Sequence, residues 1–204
     1  IFIANEFFDA MAVKQFTKKE DLWFEKYVNF KNKKKAFFYE KSFNMKKFEK
    51  KIGYNISKNQ NFIEYSLVGV NYLKEIAQII KNNSGGILII DYGYMEKKMR
   101  NTLKSISNHK YCNVLDNIGK SDITHNINFF LFKKIIDQLG DLKDLTTTQG
   151  NFLVKLGIKD RAEIISKNQS FSKKANIYYR LKRLIDKKEM GDLFKVMFIK
   201  RKNN

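Results

Sequence analysis

Proline is missing altogether from these 204 residues, cysteine and tryptophan occur once each, and only five of the 40 basic residues are arginine. Each shortage narrows the reading. The lone Cys112 has no partner for an internal disulfide, which fits a reducing compartment. With no second Cys and no activating His motif beside it, Cys112 reads as a structural thiol. No apolar run approaches the roughly 20 residues that span a bilayer, so no membrane partner is expected. A signal peptide would need a basic start, a longer apolar stretch and a small-residue cleavage site, and the opening Ile1-Phe2-Ile3-Ala4 offers none of them. Neither an internal repeat nor a Gly/Ser-rich linker divides the chain. It is read as one compact unit with a β-hairpin insertion at about 20–45.

Lysine is what the chain has in excess. A formal net charge of +19 invites a nucleic-acid reading, because a basic stripe releases counterions from phosphate. Yet the lysine comes with many Asn, Ile and Phe and no Pro, the mixture that AT-rich coding yields. Much of the charge is therefore read as compositional drift, and nucleic acid is set aside as a partner. Lys31-Asn32-Lys33-Lys34-Lys35 is read as a solvated turn. The aromatic run Phe37-Phe38-Tyr39 behind it is the only candidate for stacking on RNA bases, and a strand facing a core explains it at least as well.

At 43% hydrophobic residues the chain can bury a sizeable core. Trp23 to Phe30 and Ala36 to Ser42 are aromatic and β-branched, which with the turn between them predicts a hairpin. Val70, Leu73, Ile76, Ala77 and Ile80 recur at helical spacing and stop at Asn82-Asn83-Ser84-Gly85-Gly86. Ile87-Leu88-Ile89-Ile90 follows as a doubly buried strand ending on Asp91-Tyr92-Gly93. Helix, glycine turn, buried strand and acid at the tip belong to a parallel α/β sheet. Phe129 to Leu139 is predicted as a helix capped by Asn128 and Gly140. Ser172 opens a last amphipathic helix through Ile185, and Phe194 to Ile199 forms a closing strand.

In such sheets ligands gather outside the carboxyl ends of the strands. Two strands here end on acids: Asn5, Glu6 and Asp9 follow Ile1 to Ala4, and Asp91 follows Ile87 to Ile90. Capping of the next helix explains Asp9 as well as a functional role does. Glu6, directly behind Asn5 on a buried strand, is the acid that most needs a functional reason.

Ordered stretches through nearly the whole chain resemble the MidA family. They are Ala4-Asn5-Glu6-Phe7-Phe8-Asp9-Ala10 with Val13-Lys14-Gln15-Phe16, Gly85-Gly86 through Gly93, and Thr102-Leu103 with His109-Lys110-Tyr111. Gly119, Asp122-Ile123-Thr124, Thr148 to Leu153, Leu156-Gly157-Ile158, Arg161-Ala162 and Met190 to Val196 continue the match. The family comprises S-adenosylmethionine-dependent methyltransferases and includes a mitochondrial protein arginine methyltransferase that assists assembly of respiratory complex I. The resemblance implies an α/β fold, a class I methyltransferase (Rossmann-like) sheet of which the first strands are not in this chain. The segment around Asn5 and Glu6 resembles the fourth strand of that sheet. Three βα units at about 30 residues each would put about 90 residues before Ile1, with the cofactor's glycine loop among them. Gly85-Gly86 cannot stand in for that loop, because they precede a strand, whereas a cofactor loop follows one and opens a helix. The chain is thus expected to be the C-terminal portion of a methyltransferase domain, its other half in cis or on a separate polypeptide.

Further expectations follow from the resemblance. S-adenosylmethionine serves the complete protein and is not expected to bind this chain alone; no metal is implied. The substrate is a protein arginine, with Glu6 first among catalytic candidates, Asn5 and Asp9 beside it, and Asp91, Tyr92, Asp122, Thr124 and Gln149 near substrate or behind the site. Localisation follows as bacterial cytoplasm or mitochondrial matrix. Ala12 stands where the family usually has Pro. Where it often reads Asp-Leu-Thr-Ala-His-Val-Asp-Phe, this chain has Asn126 for the His and Asn128 for the second Asp, and the displaced His125 is read as a surface residue. The alternatives are a catalytically inactive remnant serving as an interaction module, and a Lys-rich nucleic-acid binder.

Overall fold

The computed structural model describes residues 1–31, 35–108 and 110–202. In chain order the elements are β1 (Phe2–Asn5), β2 (Lys14–Lys19), β3 (Leu22–Lys31), β4 (Lys35–Phe43), α1 (Met45–Ile52), β5 (Phe62–Tyr65), α2 (Leu67–Asn83) and β6 (Gly86–Tyr94). Three short strands follow, β7 (Lys104–Ser107), β8 (Lys110–Cys112) and β9 (Asp122–Thr124), then β10 (Ile127–Asn128) and α3 (Phe129–Leu139). The chain continues through β11 (Leu142–Thr148), α4 (Gln149–Lys155), α5 (Ile158–Ser166), α6 (Phe171–Ile185), α7 (Met190–Leu193) and β12 (Phe194–Arg201). Two compact units result, one from residues 1–9, 73–95 and 127 onward, the other from 10–72 and 96–126. The hairpin expected as an insertion is part of the second unit.

The first unit is built on a sheet of order β1-β6-β12-β11, with β10 adding to β6. β1 runs parallel to β6, from Phe2 beside Ile87 to Asn5 beside Ile90. β12 runs antiparallel to both β6 and β11, so one reversed strand sits inside an otherwise parallel set. β6 forms because Ile87 and Ile89 are buried apolar residues of high strand propensity. Leu73, Ala77 and Ile80, spaced four and three apart, form the buried stripe of α2 in this unit. That helix stops where Ser84 and Gly85 turn to φ 64° and 95°. In α3 the predicted caps are both in place: Asn128 Oδ1 accepts from the Leu131 N–H at 3.0 Å, and Gly140 closes the helix. Phe129, Phe132, Ile135 and Ile136 face inward.

The second unit carries the antiparallel sheet β4-β3-β2-β5. Its core is aromatic: Phe48 of α1 lies 5.4 Å from Phe16, 5.6 Å from Phe43 and 5.4 Å from Tyr65, ring to ring. The hairpin β3–β4 forms as expected. Phe37 and Phe38, however, are exposed rather than facing a core. β2 pairs with β3 only from Leu22 to Glu25, so among the described residues no third strand pairs with the far half of the hairpin. The centre of the lysine run, residues 32–34, lies outside the described residues, as does His109. No described helix is long and apolar enough to cross a membrane.

Candidate functional site

The ladder between β1 and β6 ends at Asn5, and the Glu6 N–H makes one further bond to the Ile90 carbonyl at 3.0 Å. There the chain leaves the sheet through Glu6 at φ 47°, in the left-handed region that a residue with a Cβ rarely adopts. Three features hold that conformation. Phe8 is fully buried, its ring 5.1 Å from Phe7 and 5.2 Å from Phe132 of α3. The Asp91 carboxylate reaches across from the end of β6, Oδ2 accepting the Phe8 N–H at 3.0 Å and the Asp9 N–H at 3.3 Å. Its Oδ1 accepts the Tyr92 N–H at 2.9 Å. What the turn leaves exposed is Asn5, Glu6 and part of Phe7.

Asp91 is therefore a support beneath the turn, fully buried, and Asp9 is buried with it. Burial first, and the Asp9 carboxylate second, push Asp91 up to about 7, against three N–H donors that favour its ionised form. Tyr92 is half-buried, its ring 4.0 Å from that of Phe194 on β12. Gln149 is also turned inward: at the first position of α4 it donates from Nε2 to the Leu184 carbonyl of α6 at 3.0 Å. A Cβ on neighbouring Gly150 would sit 2.6 Å from the Ile185 carbonyl, so only glycine allows α4 to come that close. The Thr148-Gln149-Gly150 motif thus has a packing explanation.

Asp122 and Thr124 belong to the second unit, on β9, where Asp122 is exposed. His125, expected at the surface, is buried. The chain turns inward here, tied by the Asn126 N–H to Thr102 Oγ1 at 2.8 Å. This unit also holds a buried polar network that sequence reasoning did not find. Gln15 donates to Glu64 at 2.7 Å and to Asn101 at 2.8 Å, while the Thr102 hydroxyl and N–H both donate to Glu64. Its one sequence signal is an acid in the apolar strand Phe62-Ile63-Glu64-Tyr65.

Residues 1–146 match the model of the family described as "Putative S-adenosyl-L-methionine-dependent methyltransferase". The chain belongs to that family. Among curated proteins it is similar to Protein arginine methyltransferase NDUFAF7, mitochondrial, of Danio rerio, 25% identical over 195 residues, covering 95% of this chain and 46% of the relative. The human protein of that name is 25% identical over 198 residues, covering 95% and 43%. The Caenorhabditis elegans homolog is 28% identical over 168 residues, covering 79% and 38%. The chain thus spans less than half the length of these relatives. Two crystal structures from Burkholderia thailandensis share the fold at 24% identity and cover 98% of this chain. One, of an uncharacterized superfamily protein, gives a TM-score of 0.80 over 54% of its own chain; the other, bound to S-adenosyl-homocysteine, gives 0.79 over 52%.

The family's cofactor is S-adenosylmethionine. Among the described residues no glycine-rich turn leads from a strand into a helix. Gly86 opens β6, and Gly93 near its end is packed: an added Cβ would lie 2.5 Å from both the Ile127 carbonyl and the Phe129 ring, so protein fills the space beside it. At the carboxyl end of β1 the polar pair Asn5 and Glu6 is exposed.

Proposed function

We propose that the complete protein methylates a protein arginine, with Glu6 holding the guanidinium at the carboxyl end of β1. The observation that supports this reading most is the strained Glu6 turn, fixed from below by Asp91 and Phe8 while the Glu6 side chain stays exposed. The printed names of the curated relatives, arginine methyltransferases, favour the same substrate class. S-adenosylmethionine, when bound, supplies an electrophilic methyl carbon on a sulfonium.

Guanidinium is always protonated and a poor nucleophile. A carboxylate that accepts from one side of its planar fork fixes the other nitrogen in register and draws positive charge away from it. As the new nitrogen–carbon bond forms and the carbon–sulfur bond breaks, the nitrogen must shed a proton, and an exposed carboxylate is a ready acceptor. Asn5, with one donor group and one acceptor, suits the neighbouring polar contact. Asp91 and Asp9 act through the turn. The family resemblance alone names Asp122 and Thr124 as further candidates for substrate contact. The glycine turn for the cofactor would come from the part of the complete protein that this chain does not span. The test is to incubate the complete protein with labelled S-adenosylmethionine and a candidate protein substrate, then hydrolyse and look for labelled methylarginine. Label on lysine or on a carboxyl group instead would reject the arginine reading.

A further inference from the structure

Between β11 and β12 the chain makes four helices, of which α5 and α6 carry none of the candidate site residues. Residues 149–188 hold eleven basic and three acidic side chains, a net +8 out of +19 in a fifth of the chain. Compositional drift would spread lysine evenly and does not explain this concentration, nor why three of the five arginines, Arg161, Arg180 and Arg183, fall here. Among the described residues no ion pair ties up these cations. The same helices leave apolar groups in water. α6 is 15 residues long with no buried residue. Phe171 at its start is 89% exposed, Tyr179 is 64% exposed and Tyr178 46%, and on α5 Ile164 is 65% and Ile165 45% exposed. Phe171, Tyr178, Tyr179 and Lys182 recur at steps of seven, one and three, which places them on one side of α6.

We propose that the α5–α6 hairpin docks on an anionic phospholipid surface, Phe171 and its apolar neighbours entering the headgroup region while Lys167, Lys182 and Arg183 meet lipid phosphates. Charge selects an anionic occupant and disfavours a second copy of this basic chain. Exposed isoleucine beside exposed aromatics selects lipid over nucleic acid, since bases stack on aromatic faces and gain little from aliphatic ones. The absence of a spanning helix among the described residues bears on insertion across a membrane, not on contact with its surface.

The test uses the complete protein with vesicles of phosphatidylcholine, with and without phosphatidylglycerol, in a flotation assay. Binding should require the anionic lipid and weaken as salt rises. The triple variant K167Q/K182Q/R183Q should bind on the order of 100-fold more weakly, at about fivefold per charge removed. The F171W emission, taken as the difference from the native protein so that buried Trp23 cancels, should shift to the blue on vesicle addition and be quenched by brominated lipid. Three outcomes overturn the proposal: no vesicle binding, equal binding to neutral vesicles, or a blue-shifted F171W emission before any lipid is added, which would mean that the rest of the complete protein covers this face. Salt-sensitive binding of a uridine homopolymer without vesicle binding would assign the surface to nucleic acid instead.

Discussion

Glu6 adopts a backbone conformation that costs a residue with a Cβ about 1–2 kcal/mol, so its identity can be separated from its stability. Glu6→Gly should stabilise the protein by about 1 kcal/mol, because glycine takes φ 47° without penalty, and should lose methylation. Glu6→Gln keeps the strain and should leave stability within about 0.5 kcal/mol while lowering kcat at least about 100-fold. Urea unfolding and a single-turnover methylation assay on the complete protein measure the two effects. An unchanged rate in Glu6→Gln would make the residue structural. Asp91 behaves in the opposite way. Its folded value is raised to about 7 from 3.8, so between those values the native state keeps a proton that the unfolded chain has lost. Its contribution to stability is present in full below about pH 4 and is lost as pH rises towards 7, by on the order of 4 kcal/mol. Asp91→Asn should therefore remove a decline in stability between pH 4 and 7 that the native protein shows. Parallel pH profiles for the two proteins would contradict this.

At the scale of elements, what could be read beforehand was what local sequence encodes. The caps of α3, the glycine stop of α2 and the apolar run of β6 each declare themselves within a few residues. β11 did not, because Leu142-Lys143-Asp144-Leu145-Thr146-Thr147-Thr148 has little apolar alternation and owes its place to pairing with β12. α1 was hidden for a similar reason: Met45, Phe48 and Ile52 give the right spacing, but lysines surround them. The candidate site divides along the same line. Acids at strand tips are visible in sequence; that Asp91 turns under Glu6, and that Gln15 and Thr102 converge on Glu64 from 49 and 38 residues away while Gln15 also reaches Asn101, follows from long-range packing alone. Gly93 is a point where elements meet closely enough to test. An alanine Cβ there would lie 2.5 Å from a backbone carbonyl of β10, which cannot swing aside as a side chain would. Gly93→Ala should cost about 1–3 kcal/mol and lower Tm by roughly 2–4 °C per kcal/mol, measured by calorimetry. A variant that melts with the native protein would show that β10 is free to move.

For the molecule as a whole the decisive feature is the free side of β1. Among the described residues this strand pairs with β6 alone, while Ile1 is 94% and Ile3 73% exposed. An open, apolar edge strand presents unpaired N–H and C=O groups in register for another strand. Leaving two large apolar side chains in water forgoes on the order of 3 kcal/mol, a large share of ordinary domain stability. The net charge of +19 opposes association, yet at physiological ionic strength it acts over only about 8 Å, and strands pair at about 5 Å. Added salt should therefore promote association rather than dissolve it. The 204-residue chain expressed by itself is predicted to self-associate through β1, and adding the remaining part of the complete protein as a separate polypeptide should yield a discrete complex. Such a chain should also fail to bind S-adenosylmethionine at micromolar concentration until that part is supplied, since on the proposed reading the cofactor's glycine turn lies there. Light scattering after size exclusion, with calorimetric titration of the cofactor, tests both expectations. A chain that stays a monomer at rising salt, or that gives a saturable heat on its own, would mean that β1 is covered from within and that the site needs no second part.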